Sequence, residues 1–186
     1  MAARAPSSAT YEDLLRLPEG QIGQILDGEL VALPRPAARH QAVSSALGGE
    51  LHSPFSRGRG GPGGWILLDE PELQLGGQVI VPDLVGWRRE RLPELPDTPA
   101  ITLRPDWVCE VLSPSSVSID RVKKTRIYAK LEIPCFWVVD PLAHTLEVLG
   151  LRGDKYAYEA SFEGDDPVAA PPFEAVPLEL GALWAR

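Results

Sequence analysis

The spacing of apolar and polar positions along the chain predicts short strands surrounding one clear strand–helix–strand unit. Tyr11–Leu17 reads as a short helix stopped by Pro18 and Gly20. Ile22–Leu26 and Glu29–Leu33 read as strands joined at Asp27-Gly28, a tight hairpin signal. From His40 to His52 the apolar residues Val43, Leu47 and Leu51 recur at helical spacing. Gly48 and Gly49 weaken that helix by about 1 kcal/mol each relative to alanine. Ser56–Gly64 is a glycine-rich loop carrying Arg57 and Arg59. No Lys-Ser/Thr follows it, so it reads as a flexible connector rather than a P-loop. Trp65–Leu68, Glu72–Leu75 and Val79–Trp87 are strand-like, with Gly76-Gly77 as the turn between the last two, and the proline-rich stretch Leu92–Pro105 is a loop.

Trp107–Leu112 is a strand, Asp120 is placed to cap a helix running to about Leu131, and Ile133-Pro134 ends it before a strand at Phe136–Val139. Strand, helix and strand within so short a stretch predict parallel pairing with a right-handed crossover. Thr145–Leu149 and Lys155–Phe162 read as an antiparallel pair at the sheet edge. Beyond Gly164, Leu178, Leu180, Leu183 and Trp184 are expected to pack back on the body. The fold class is therefore α/β (α+β).

The chain has 186 residues, 44% of them hydrophobic, with no internal repeat. These features suit a loose tail over 1–10 followed by one domain over 11–186. No stretch approaches the roughly 18 uninterrupted apolar residues of a membrane span, and Met1–Thr10 has no apolar signal-peptide core, so a cytoplasmic protein is expected. Cys109 and Cys135, lying in strand-like runs without a CxxC or a histidine cluster, are expected to be buried thiols. A net charge of −8 argues against a simple electrostatic DNA binder. The charge is uneven, however: Arg121, Lys123, Lys124, Arg126 and Lys130 fall within one ten-residue stretch.

Three charges stand where apolar residues are expected. Val79-Ile80-Val81-Pro82-Asp83-Leu84-Val85 and Trp107-Val108-Cys109-Glu110-Val111-Leu112 read as strands covered on both faces. Asp83 would share a face with Val81 and Val85, and Glu110 with Val108 and Leu112. Carboxylates are seldom fully buried unless paired or bound to metal. On the helix, Ile127, Tyr128 and Leu131 define one apolar stripe. Lys124 falls near its middle, whereas Lys123 lies about a quarter turn away. A lysine there either snorkels or meets an anion, and Glu110 lies on the strand just before. Two carboxylates against one ammonium leave a net negative site suited to a hard divalent cation. Such an ion with a lysine beside it fits phosphodiester hydrolysis.

At Pro82-Asp83 and Glu110-Val111-Leu112 the sequence resembles the PD-(D/E)XK nuclease superfamily, and more narrowly its Uma-two family. The resemblance runs in order through Leu17-Pro18-Glu19-Gly20, Leu26-Asp27-Gly28-Glu29-Leu30, His40-Gln41, Val81-Pro82-Asp83, Glu110–Ser115, Asp120 with Lys124 and Tyr128, and Phe136–Pro141. It implies a restriction-endonuclease-like mixed central sheet flanked by helices. It also implies metal binding by Asp83, Glu110 and the backbone carbonyl of Val111. The lysine expected at Leu112 is replaced, in the family pattern, by the helix residue Lys124. The family tends to carry Glu where this chain has Gln24, and His40 is placed to line the site, with Tyr128 beside Lys124. The expectation is an Mg²⁺-dependent endonuclease acting on DNA as a homodimer, with Mn²⁺ as substitute and Asp83, Glu110 and Lys124 as the catalytic group. The alternatives are a retired nuclease fold serving as a binding or structural module, favoured by Gln24 and the net charge, and a hydrolase of a small phosphoester.

Overall fold

The computed structural model of the protein describes residues 8–184. Of the expected tail, residues 1–7 lie outside that range. Ala9 and Thr10 are tied down: the Ala9 N–H donates to the Gly28 carbonyl at 2.8 Å, and Thr10 forms a capping box with Asp13 at the start of α1, Tyr11–Leu15. The hairpin follows as β1, Gln21–Leu26, and β2, Glu29–Pro34, with Leu26 opposite Glu29. Asp27 and Gly28 take φ values of 50° and 80°, the left-handed pair that a tight hairpin turn requires.

Helix α2, Ala38–Leu51, continues into a π-helical turn at His52–Ser56. Then come β3, Trp65–Asp69; β4, Glu72–Leu75; β5, Gln78–Ile80; β6, Leu84–Arg88; β7, Ala100–Ile101; and β8, Trp107–Val111. A π-helical segment, Ile119–Lys124, runs directly into α3, Thr125–Lys130. The chain ends with β9, Cys135–Asp140; β10, Thr145–Arg152; β11, Lys155–Glu163; β12, Pro167–Val168; β13, Leu178–Glu179; and α4, Leu180–Leu183.

The central layer is a six-stranded mixed sheet in the order β11-β10-β9-β8-β6-β3, and a five-stranded sheet has the order β2-β1-β5-β4-β7. Strands β8 and β9 are parallel neighbours, with Glu110 beside Val138, as the strand–helix–strand pattern requires. Both faces of the central sheet are covered. Trp107, Cys109, Val111 and Trp137 pack with Val43 and Leu47 of α2 and with Phe173, Leu180 and Leu183 of the C-terminal stretch. On the opposite face Val108, Phe136 and Val138 pack with Ile127 and Tyr128 of α3 and with Leu26, Leu73 and Ile80 of the smaller sheet. The expected return of the tail is thus observed, and both cysteines are buried and free.

Two expectations are corrected. The stretch Val79–Trp87 is not one strand: β5 belongs to the smaller sheet and β6 to the central one. Pro82, which has no N–H for a ladder bond, sits in the Val81–Asp83 break where the chain crosses between sheets. Asp83 therefore lies at the strand mouth rather than inside a strand face. Likewise, Asp120 does not cap a helix, because no side-chain cap bond is made at the start of the π-helical segment.

Candidate active site

The break at Val81–Asp83 places Asp83 at the end of β6, beside the end of β8. These strands are antiparallel with Leu84 opposite Cys109, so the register brings Asp83 alongside Glu110. The Val111 N–H donates to Asp83 Oδ2 at 2.7 Å. On the other side His40 Nε2 lies 3.1 Å from Asp83 Oδ1. His40 is the third residue of α2, so the start of that helix and the end of β8 together hold the carboxylate.

Glu110 lies deeper. It is 2% exposed, and Lys124 is also 2% exposed. Lys124 Nζ donates to both Glu110 oxygens, at 2.8 and 2.9 Å, and to the Val81 carbonyl at 3.3 Å. Tyr128, one helical turn further on, donates its hydroxyl to Glu110 Oε1. The helical stripe thus delivers Lys124 to the carboxylate. Lys123 turns outward to Glu29 at 2.6 Å. Gln24 is buried, and its Oε1 accepts the Val81 N–H at 3.0 Å, fixing the crossing segment to β1.

Asp83, Glu110, Lys124, Gln24 and His40 all line one cleft with a cavity volume of about 50 Å³. Tyr128 grips Glu110 from behind. Val111 meets the site through its amide, which donates to Asp83. Two further carboxylates line the same cleft, Asp120 and Glu70. Asp120 is 2% exposed, and its Oδ1 lies 3.4 Å from Lys124 Nζ. Its i, i+4 spacing from Lys124 was the available signal. Glu70 sits in the turn after β3 with φ 48°, and nothing in its local sequence marks it.

The charge of this cluster is unbalanced. Four carboxylates (Glu70, Asp83, Glu110, Asp120) face one ammonium and one imidazole. Burial pushes the Glu110 carboxyl well above the usual range; Lys124 pulls against that rise, and the charges of Asp120 and Asp83 add to it. Burial alone would lower the Lys124 ammonium, but Glu110, Asp120 and Asp83 together hold it above the ordinary lysine value. For Tyr128, burial and then the Glu110 charge raise the hydroxyl. His40 is raised too: burial works against its charged form, but the Asp83 hydrogen bond and charge outweigh it. One cause underlies all four: excess negative charge in a poorly solvated cleft gathers protons and cations.

A hard divalent cation fits this donor set. Among the described residues no three His, Cys, Asp or Glu side chains form a ready metal cage. Mg²⁺ does not need one, since it is usually held by one or two carboxylates plus waters and substrate phosphate. A carboxylate has about four acceptor positions. Asp83 uses two here, for Val111 and His40, and Glu110 uses three, for Lys124 and Tyr128. Acceptor capacity therefore remains on both.

Comparison with known proteins gives the chain a family and a fold. The sequence model of the Uma2 family, described as "Putative restriction endonuclease", matches residues 10–181. The chain belongs to the Uma2 family. Among solved structures it is similar to a protein described as a "putative nuclease belonging to DUF820" from Anabaena variabilis ATCC 29413. The TM-score is 0.71 at 22% identity, with 95% of this chain and 97% of that one covered. At that identity the likeness speaks for the fold, which is restriction-endonuclease-like. No curated protein matches the chain. Among the described residues no helix of this Uma2 member is long and apolar enough to cross a membrane.

Proposed function

We propose that this Uma2 protein is a divalent-metal-dependent endonuclease that hydrolyses DNA phosphodiester bonds, with Asp83, Glu110 and Lys124 as its catalytic group. The observation that carries the reading is the meeting of Asp83, Glu110 and Lys124 in one cleft with surplus negative charge. Asp83 and Glu110, with the Val111 carbonyl, would hold Mg²⁺, or Mn²⁺ in its place. When bound, the ion supplies Lewis acidity and neutralises phosphate charge.

The remaining roles follow from the chain's own geometry. Lys124 holds its proton against burial, because three carboxylates surround it. With its N–H groups on both Glu110 oxygens and the Val81 carbonyl, Nζ would serve as a donor, stabilising charge that develops on the phosphoryl oxygens. Tyr128 and Lys124 orient Glu110, His40 and the Val111 amide orient Asp83, and Gln24 holds the segment that carries Asp83. A homodimer would bring two such centres to the two strands of a duplex.

The test is nicking of supercoiled plasmid. Nicking is expected with Mg²⁺ or Mn²⁺ and not with chelator, and Asp83→Asn, Glu110→Gln and Lys124→Ala each abolish it. A second reading, a retired nuclease fold serving as a binding module, is favoured by Gln24 standing where the family tends to carry Glu. Metal-dependent stabilisation without nicking of any DNA would select that reading.

A further inference from the structure

The cleft makes no use of the Ser56–Gly64 loop and its two arginines. That loop is not a flexible connector. The N–H groups of Arg57, Arg59 and Gly63 donate to the carbonyls of His52, Ser53 and Pro54 at 3.0, 2.9 and 2.9 Å. Ser53 Oγ donates to the Arg59 carbonyl at 3.3 Å. The loop lies so close on the preceding turn that a Cβ on Gly61 would stand 2.5 Å from Pro54. Arg89 fastens its far end: its N–H donates to the Gly64 carbonyl at 2.9 Å, and its guanidinium reaches the Trp65 and Ser56 carbonyls at 3.2 and 3.5 Å. Next to it, the Arg88 guanidinium lies over the Trp65 ring at 4.1 Å from its centre.

Four arginines, Arg57, Arg59, Arg88 and Arg89, thus gather at one corner, and all are exposed. Among the described residues none of the four guanidinium groups pairs with a carboxylate, whereas Arg16, Arg91, Arg104, Arg121 and Arg152 each form an ion pair. The Arg88 backbone N–H does donate to Asp106 Oδ2, at 2.8 Å. Asp106, the nearby acid, is taken by Arg91 at 2.5 Å, leaving Glu90 as the acid within the Arg88–Arg91 run. In a chain of net charge −8 this corner is a local reversal of sign, and it is held rigid.

The corner and the cleft lie at opposite ends of the same strand pair. Trp65 is opposite Arg88, and Asp69 is opposite Leu84, the residue after Asp83. From Arg88 to Asp83 is five residues, which at about 3.3 Å each separate corner and cleft by roughly 16 Å, close to five base-pair rises of about 3.4 Å. We propose that the corner formed by Arg57, Arg59, Arg88 and Arg89 binds the phosphate backbone of duplex DNA about five base pairs from the phosphate held in the cleft. The inference rests on the nuclease reading and names a substrate contact outside the cleft. Guanidinium groups suit phosphate oxygens through paired N–H donation. Contacts of this kind position a duplex without reading its sequence.

The test is fluorescence anisotropy with a short duplex in chelator, so that binding is read without cleavage, over a series of salt concentrations. Arg57→Gln with Arg59→Gln should weaken binding at least tenfold and flatten the plot of log affinity against log salt by about 2, at about 0.9 per lost phosphate contact. The melting temperature should stay unchanged, because neither side chain makes a hydrogen bond or ion pair among the described residues. Arg88→Gln should give a smaller change in the same direction. Unchanged affinity and slope would overturn the proposal, as would a wild-type protein that fails to bind duplex at low salt. Loss of binding to anionic lipid vesicles with DNA binding intact would overturn it too. The two readings fail separately: a wild type that nicks with metal, paired with a variant that binds like wild type, removes the corner and keeps the nuclease. Corner-dependent DNA binding without nicking does the reverse.

Discussion

Trp107 and Glu110 stand three residues apart on β8, and both are almost wholly buried, at 0% and 2% exposed. The two faces of the strand nevertheless solve opposite problems. On the Trp107 face, Phe173 sits 4.8 Å from the Phe55 and Trp65 rings, 5.0 Å from Trp107 and 5.5 Å from Trp137. That face is stabilised by apolar burial and by tilted and edge-on ring packing, which need no partner beyond the chain itself. On the Glu110 face, Val108 is apolar but the next inward position is a carboxylate whose two oxygens are occupied by Lys124 and Tyr128. A second carboxylate, Asp120, shares the same lysine. A buried ion pair adds little to net stability even when its geometry is good, and this one is outnumbered by like charges. The Trp107 face is apolar throughout; the Glu110 face carries, within its own apolar packing, a charge imbalance that a bound cation would relieve.

The sharpest test of that division removes one residue from each face. Lys124→Ala should abolish nicking and also cost about 3–5 kcal/mol, because it leaves Glu110 buried and unpaired. Joint replacement, Lys124→Met with Glu110→Leu, should recover most of that stability while activity stays lost. Denaturant unfolding of the three proteins checks this, and a single variant within about 1 kcal/mol of wild type would remove the claim that the pair is energetically coupled. Phe173→Ala should cost a similar amount, about 3–5 kcal/mol, yet the protein that remains folded in the cold should nick DNA at the wild-type rate. Activity lost in proportion to metal affinity would show that the aromatic face also shapes the site.

A somewhat smaller effect is expected from metal itself. Saturating Mg²⁺ or Mn²⁺ should raise the melting temperature, by about 2.7 kcal/mol of added stability at a hundred times the Kd. Asp83→Asn should remove most of this gain. The metal-free Asp83→Asn protein should melt close to wild type, since a repelling charge has gone along with the contacts to His40 and Val111. Scanning calorimetry with and without cation measures both, and no metal effect at millimolar concentration would count against the metal site.

The smallest expected change is at Gln24. A glutamate there can still accept the Val81 N–H, so the crossing segment should stay in place while a hard oxygen charge is added at the cleft. Gln24→Glu should tighten Mn²⁺ binding by roughly tenfold or less. Titration calorimetry giving unchanged or weaker affinity would mean that Gln24 serves only to anchor the backbone.

What the sequence determined by itself was periodicity and its violations. The strand–helix–strand order pointed to parallel pairing of β8 with β9, because the intervening helix carries the chain back to the end of the sheet where β8 began. Glu110 was visible as a charge in an apolar strand, and Lys124 as a charge on an apolar helical stripe. The wheel succeeded because α geometry holds from Lys124 through Tyr128 to Leu131, even though the preceding turn is π-helical. Periodicity says which way a side chain points within its own element. It does not say which elements meet. The split of Val79–Trp87 between two sheets, the approach of His40 to Asp83 at 3.1 Å, and the entry of Asp120 and Glu70 into one cleft depend on packing between segments far apart in the chain. Asp120 reads locally as a cap because aspartate so often serves as one. Only the packed helix, which buries it beside Lys124, makes it part of the charge cluster. Glu70 gave no local sign at all, since an acid in a turn is ordinary until the fold closes a cleft beside it.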